Sequence, residues 1–185
     1  MEQEKATVLI TGGGGYLGTV LVPILLERGF RVLVLDRFFW GKEILAPFIS
    51  AGFGAMKEQG NLLLIEEDTR TFPQKYLQNV DVVIDLAALS NDPIGELNPQ
   101  RTLNINYHAR VRTAQMAKDA GVKKYILASS CSVYGFRENI LDETSVPSPV
   151  TTYARASLLA ENGVLPLATK DFCVTVLRQG TLYGF

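Results

Sequence analysis

Six short apolar runs, set along 185 residues with longer helix-patterned segments between them, leave this chain few ways to bury its surface. The runs are Thr7 to Thr11, Arg31 to Asp36, Asn61 to Glu66, Asp81 to Ala87, Lys124 to Ser129 and Phe172 to Arg178. They are rich in Val, Ile and Leu and poor in polar alternation, as strands buried on both faces of a parallel sheet are. Between them lie "GYLGTVLVPILLERG", "KEILAPFISAGFGAMKEQG", a short "FPQKYLQN", "NPQRTLNINYHARVRTAQMAKDAG" and "TTYARASLLAENGVLPLATK". Each long segment can carry an apolar helical stripe and ends near glycine or a cation. Strand and helix in alternation predict a doubly wound α/β sheet, as one domain over residues 1–185. Two details fit that pattern poorly. Pro23 removes a backbone donor inside the first helix and predicts a kink, and Gly52 and Gly54 predict a break at "SAGFGA".

Composition narrows the function classes. With 47% hydrophobic and 20% charged residues the chain reads as globular, and its net charge of -1 comes with no basic stripe. Nucleic acid and anionic membrane are therefore not expected partners. The start, "MEQEKATVLI", is acidic where a secretory signal is basic, and glycines and Pro23 interrupt the apolar run behind it. The expectation is a cytoplasmic chain without a membrane span. Cys131 and Cys173 are accordingly expected to be reduced and buried. No Cys or His cluster has metal-ligand spacing, so no metal is expected, and the lone His108 reads as a surface or packing residue.

The stretch "TGGGGYLG" joins the first strand to the first helix. Gly12, Gly15 and Gly18 have the G-x-x-G-x-x-G spacing of a dinucleotide turn, with Tyr16 and Leu17 opening the helix. Glycine there lets backbone approach a pyrophosphate, while the helix N-terminus offers free N–H groups and a positive dipole end. No G-K-[ST] follows, which disfavours a triphosphate P-loop. A tight strand-to-helix turn with no ligand would also use these glycines. The second strand ends at Asp36, near the spacing at which a carboxylate accepts both ribose hydroxyls of NAD and repels a 2'-phosphate. NAD is therefore preferred to NADP, a preference that the neighbouring Arg37 softens. The plainer reading of Asp36 is a strand-end turn residue.

With these motifs in order, the chain resembles the extended short-chain dehydrogenase/reductase family, the NAD-dependent epimerases and dehydratases that act on sugar nucleotides. The resemblance runs from Thr7 to Gly184 and rests on "TGGGGYLG", Asp36, "EEDTR", "VIDLAAL", Asn106, "ASSCSVYG", "TTYARAS" and "LRQGTLYG". It implies a Rossmann fold with NAD as cofactor and a nucleotide-sugar substrate. Asp68, with Thr69 beside it, would then bond the adenine amino group, and Leu86, Ala87 and Ala88 would form the wall past which the cofactor runs. Asn106 would tie its helix to the active-site strand. Without the resemblance, Asp68 is a solvated turn carboxylate and Asn106 a polar helix residue.

The same resemblance maps the hydroxyl that orients substrate onto Ser130 and the proton-transferring tyrosine onto Tyr153, while Tyr134 falls outside that position and is expected to pack. Here the chain departs from the family. YxxxK requires lysine at position 157, and the sequence has Ser157. In the family that lysine acidifies the tyrosine and binds the nicotinamide ribose. A free tyrosine titrates near 10, and moving it to neutrality takes on the order of 4 kcal/mol, which a serine hydroxyl does not supply. Arg155 lies on another side of the helix. The positions at which dehydratases carry Asp-Glu hold Cys131 and Ser132, favouring epimerase or simple oxidoreductase over dehydratase. The chain ends where relatives continue into a substrate lobe, so that lobe is expected to be largely absent. Three readings follow: an epimerase-type enzyme weakened at position 157, an NAD-binding module without chemistry of its own, and an NAD(P)H-dependent reductase of a small carbonyl compound. A homodimer through helices over residues 98–120 and 151–170 is a further implication, with Val111, Leu158 and Leu159 as candidate contacts.

Overall fold

A computed structural model describes residues 5–45 and 60–184 of the chain. Six strands lie close to the apolar runs: β1 (Thr7–Thr11), β2 (Arg31–Asp36), β3 (Leu62–Glu66), β4 (Val82–Asp85), β5 (Lys124–Ser130) and β6 (Cys173–Gln179). All pair in parallel, in the order β3-β2-β1-β4-β5-β6. The sequence therefore starts at the centre of the sheet and is wound outward in both directions, the doubly wound Rossmann arrangement. Register follows the side-chain period of two. Leu9, Leu33, Val83, Tyr125 and Leu127 enter one core, and Val8, Ile10, Val32 and Val34 enter the other.

Helix α1 (Tyr16–Glu27) covers the second of these cores with Val22 and Leu26. It runs unbroken across Pro23, which is buried within it. The first core is closed by α4 (Arg110–Asp119) and α5 (Thr152–Val164), through the small residues Ala114, Ala117 and Ala160 and through Val164. Only a 3-10 turn over Lys42–Leu45 is described from the segment expected to form the second helix, and the break expected at Gly52 and Gly54 lies outside the described residues.

The long helical segment before β5 is divided. Asn91 caps α2 (Asp92–Leu97) and Asn98 caps α3 (Pro99–Leu103), each side-chain oxygen accepting a backbone N–H at 3.0 Å and 2.9 Å respectively. A π-helical turn over Asn104–Ala109 then leads into α4. Asn106 lies within that turn and is fully buried.

Two expectations are corrected at the sheet's margin. The last apolar run is not buried on both faces: β6 is an outermost strand, its residues alternate between exposed and half-buried, and Leu177 is 44% exposed. Both cysteines are free and exposed, not buried. Cys173 opens that outer strand, and Cys131 begins the 3-10 turn after β5, so neither position is covered by a second layer. Among the described residues no helix is long and apolar enough to cross a membrane, and no group of His, Cys, Asp or Glu is placed to hold a metal ion.

Candidate active site

The carboxyl ends of the strands open into a cleft of about 600 Å³. Crevices at this end of open α/β sheets are where ligands bind. The cleft gathers Gly12, Gly15, Tyr16, Leu17, Asp36, Arg37, Asp68, Thr69, Leu86, Ala87, Ala88, Ser130 and Tyr153 from six separate segments. Gly18, Asn106 and Ser157 do not line it.

The glycine turn is fixed by close backbone packing. Gly12 has φ +68°, its N–H bonds Leu35 O at 2.8 Å, and a Cβ on it would lie 2.7 Å from Ala87 Cα. Gly18 is buried under the turn, where a Cβ would lie 2.3 Å from Gly13 O. It serves the contact between α1 and the turn and does not line the cleft. No side chain caps α1 and its first turn carries no acidic residue, so its first N–H groups have no side-chain partner where Tyr16 and Leu17 line the cleft. That is the donor set a pyrophosphate requires.

Asp36 closes the far side of this cradle. Its two oxygens accept from Gly14 N at 3.0 Å and Phe38 N at 2.7 Å, which fixes the carboxylate while each oxygen keeps a further lone pair for a hydroxyl. Asp68 is more fully engaged than the sequence suggests. Arg70 donates to it from Nε at 2.9 Å, from Nη2 at 2.6 Å and from its backbone N–H at 2.9 Å, and Arg37 lies at 3.4 Å while its guanidinium stacks on Phe39. The Arg70 guanidinium, chiefly, lowers the Asp68 carboxyl to about 2. A carboxyl depressed on folding adds stability that is complete above its ordinary value near 3.8 and disappears as pH falls toward 2. Asp68→Asn should therefore flatten the loss of stability between about pH 4 and pH 2, measured by urea unfolding at each pH. Equal slopes for parent and variant would refute this.

At the other end, Thr151 caps α5 and places Tyr153 in the cleft wall. Two carboxylates of α2 hold that helix start: Asp92 accepts from the Thr151 hydroxyl, and Glu96 accepts from Thr152 N at 2.6 Å and Thr152 Oγ1 at 3.0 Å. The Thr152 N–H and hydroxyl hold the Glu96 carboxyl below its ordinary value. Gly95 makes the approach close, since a Cβ there would lie 3.0 Å from Tyr153 Cβ. Ser130 Oγ accepts from Ser132 N at 3.1 Å, which leaves its own proton to donate into the cleft.

Ser157 is buried and donates to Tyr153 O at 3.0 Å, a bond back to the preceding helical turn. Its hydroxyl is thus spent on the backbone. One turn further, Glu161 is 1% exposed and pairs with Arg178 through Nε at 3.0 Å and Nη2 at 2.7 Å, while the Ser129 hydroxyl donates to the same carboxylate. Arg178 also donates to Tyr134 Oη at 3.0 Å, so Tyr134 packs as expected. Asn106 ties its helix to the strand end through both amide atoms, Oδ1 accepting from Leu89 N and Nδ2 donating to Leu89 O, each at 2.9 Å. His108 is exposed against Tyr107, and Arg155 is exposed.

Sequence reasoning missed Arg110, which is 4% exposed and lines the cleft, and the aromatic pair Phe39 and Trp40, which line it beside Asp36 and Arg37. A charged residue on an otherwise inward helical stripe was the available signal for the first. Three consecutive aromatics, Phe38 to Trp40, just beyond a strand's carboxyl end were the signal for the second.

Comparison with known proteins agrees with this fold. The model of the "NAD dependent epimerase/dehydratase family" matches residues 8–185. A probable UDP-arabinose 4-epimerase 3 from Oryza sativa subsp. japonica is 30% identical over 185 residues, 96% of this chain and 45% of that protein. Among solved structures, MoeE5 in complex with UDP-glucose and NAD is 29% identical with a TM-score of 0.80, over 94% of this chain and 54% of that one. The UDP-N-acetylglucosamine 4-epimerase from Methanobrevibacter ruminantium M1 is 27% identical with a TM-score of 0.83, over 95% and 55%. The chain spans about half the length of these relatives.

Proposed function

The chain belongs to the NAD-dependent epimerase/dehydratase family, and from that premise we propose that it binds NAD across the cleft as part of a sugar-nucleotide epimerase-type oxidoreductase. The observation that carries the reading is the uncapped start of α1 at Tyr16, set opposite the fixed Asp36 carboxylate in one cleft with Ser130 and Tyr153. When bound, NAD supplies a hydride acceptor that is regenerated when the hydride returns to the substrate. The chain's own groups do the rest. Backbone N–H groups at Tyr16 and Leu17 take the diphosphate, and Asp36 takes the adenosine ribose hydroxyls. The Ser130 hydroxyl orients a substrate oxygen, and Tyr153 exchanges a proton with it. Relatives crystallised with UDP-glucose or UDP-N-acetylmuramic acid support a nucleotide sugar as the substrate class.

Ser157 limits this chemistry in the proposal. Its buried hydroxyl bonds the Tyr153 carbonyl and brings no charge to the tyrosine ring, so proton transfer is weakened while cofactor binding persists. The same observation favours a second reading, in which the chain holds NAD without turning over a substrate. The family reading also gives the helices over 98–120 and 151–170 a second copy as partner. Leu159 is free for that contact, whereas Val111 already packs on Gly163, where a Cβ would meet its Cγ2 at 2.4 Å.

The test is calorimetric titration with NAD and NADP. NAD should bind at micromolar or tighter, with NADP weaker by roughly ten- to a hundredfold because Asp36 faces the 2'-phosphate. Binding of neither would remove the proposal, and tighter binding of NADP would show that Arg37 rather than Asp36 decides.

A further inference from the structure

Arg110 is the one cleft-lining cation among the described residues that is more than nine-tenths buried. Its guanidinium is anchored through Nε, which donates to Ala87 O at 3.2 Å. Neither Nη group makes a hydrogen bond or ion pair with any described residue, and neither is sealed from solvent, in contrast to Nη1 of Arg112. Burying a cation this deeply without a paired carboxylate is costly, and the cost falls when an anion meets it.

Its place indicates which anion. Ala87, which holds Nε, is pressed against the glycine turn, since a Gly12 Cβ would lie 2.7 Å from both Ala87 N and Cα. Arg110 lines the same cleft as Tyr16 and Leu17 at the start of α1. A forked planar donor matches phosphate oxygens in geometry and keeps its charge at every working pH. We infer that Arg110 is a ligand-binding residue, a guanidinium that meets the diphosphate of a dinucleotide together with the start of α1. The inference rests on the NAD reading above and adds a charge that the glycine turn and Ser157 do not provide.

A purely structural role is the competing account. Asp85 is buried below, accepting from Thr11 Oγ1 at 2.6 Å and from the Tyr125 hydroxyl, and Arg110 could serve it as a distant counter-charge. The two accounts separate by ligand. Arg110→Gln keeps a donor for Ala87 O and removes the charge. In titrations of the full chain, NAD and ADP-ribose should bind this variant roughly ten- to a hundredfold more weakly, the range for charge-assisted hydrogen bonds. Adenosine, which has no diphosphate, should bind parent and variant alike, and the salt dependence of NAD binding should become shallower in the variant. Should Arg110→Gln fail to fold, Asp85→Asn/Arg110→Gln removes both charges and carries the same measurement. Parent-like NAD affinity in either variant overturns the inference and leaves the NAD reading standing. A parent chain that binds no dinucleotide overturns both.

Discussion

Replacing Glu161 with alanine should cost the chain about 3–5 kcal/mol, the usual penalty for removing one partner of a buried ion pair. The loss arises on three sides. Arg178, with two nitrogens on the Glu161 carboxylate, is left with Tyr134 alone, the Ser129 hydroxyl loses its acceptor, and a cavity opens between α5 and β5. For a domain of this size the melting temperature should fall by roughly 10 °C or more. Glu161→Leu/Arg178→Leu should restore most of it, because an apolar pair of similar volume carries no unpaired charge. A single-variant loss under about 1 kcal/mol in urea unfolding would show that the pair is solvated and structurally idle.

That network was not legible in the sequence, and the reason is physical. Ser129, Glu161 and Arg178 belong to three elements whose approach depends on strand order, and nothing local marks Glu161 as buried. The strands were legible to within a residue or two, because a parallel strand covered by helices must be apolar along its whole length. The rule failed at β6, where an apolar run occupies an outer strand without a second covering layer, and with it went the expectation of a buried Cys173. Within the site, the cleft positions of the glycine turn and Asp36 were readable from spacing, and those of Ser130 and Tyr153 from the resemblance. Asp68 was readable as a position only, since its engagement by Arg70 and Arg37 depends on rotamers. The π-helical turn carries no compositional mark, so the inward aim of Asn106 came from resemblance alone.

The second large effect is expected at Gly18. Alanine there places its Cβ 2.3 Å from Gly13 O, 2.4 Å from Gly13 Cα and 2.5 Å from Gly13 C. These are backbone atoms, and Gly13 cannot retreat freely because the space beyond it is held by Val34 Cγ1. The start of α1 must therefore move away from the strand, and the N–H groups at Tyr16 and Leu17 lose their aim. We expect Gly18→Ala to weaken NAD binding by more than about a hundredfold and to lower stability by roughly 1–3 kcal/mol, the cost of overpacking. Gly121→Ala is the matched control. Its position has φ +82° with nothing within 4 Å of a Cβ, so it should pay only backbone strain, about 1–2 kcal/mol, and bind NAD as the parent does. Equal affinities for the two variants would show that the turn does not hold the cofactor.

The pair of hydrogen bonds between Asn106 and Leu89 and the Arg110 contact with Ala87 have a joint consequence for the floor of the cleft. Beyond Asp85, Leu86 still donates to Thr11 O of β1 at 3.0 Å, and Ala87 and Leu89 then present backbone groups to the helical segment. Asn106 and Arg110, one turn apart, grip alternate carbonyls of that stretch, so the helix acts as its neighbouring rail. The wall against which a dinucleotide would lie is therefore held from two sides, by β1 through Thr11 and by α4 and the turn before it through Arg110 and Asn106.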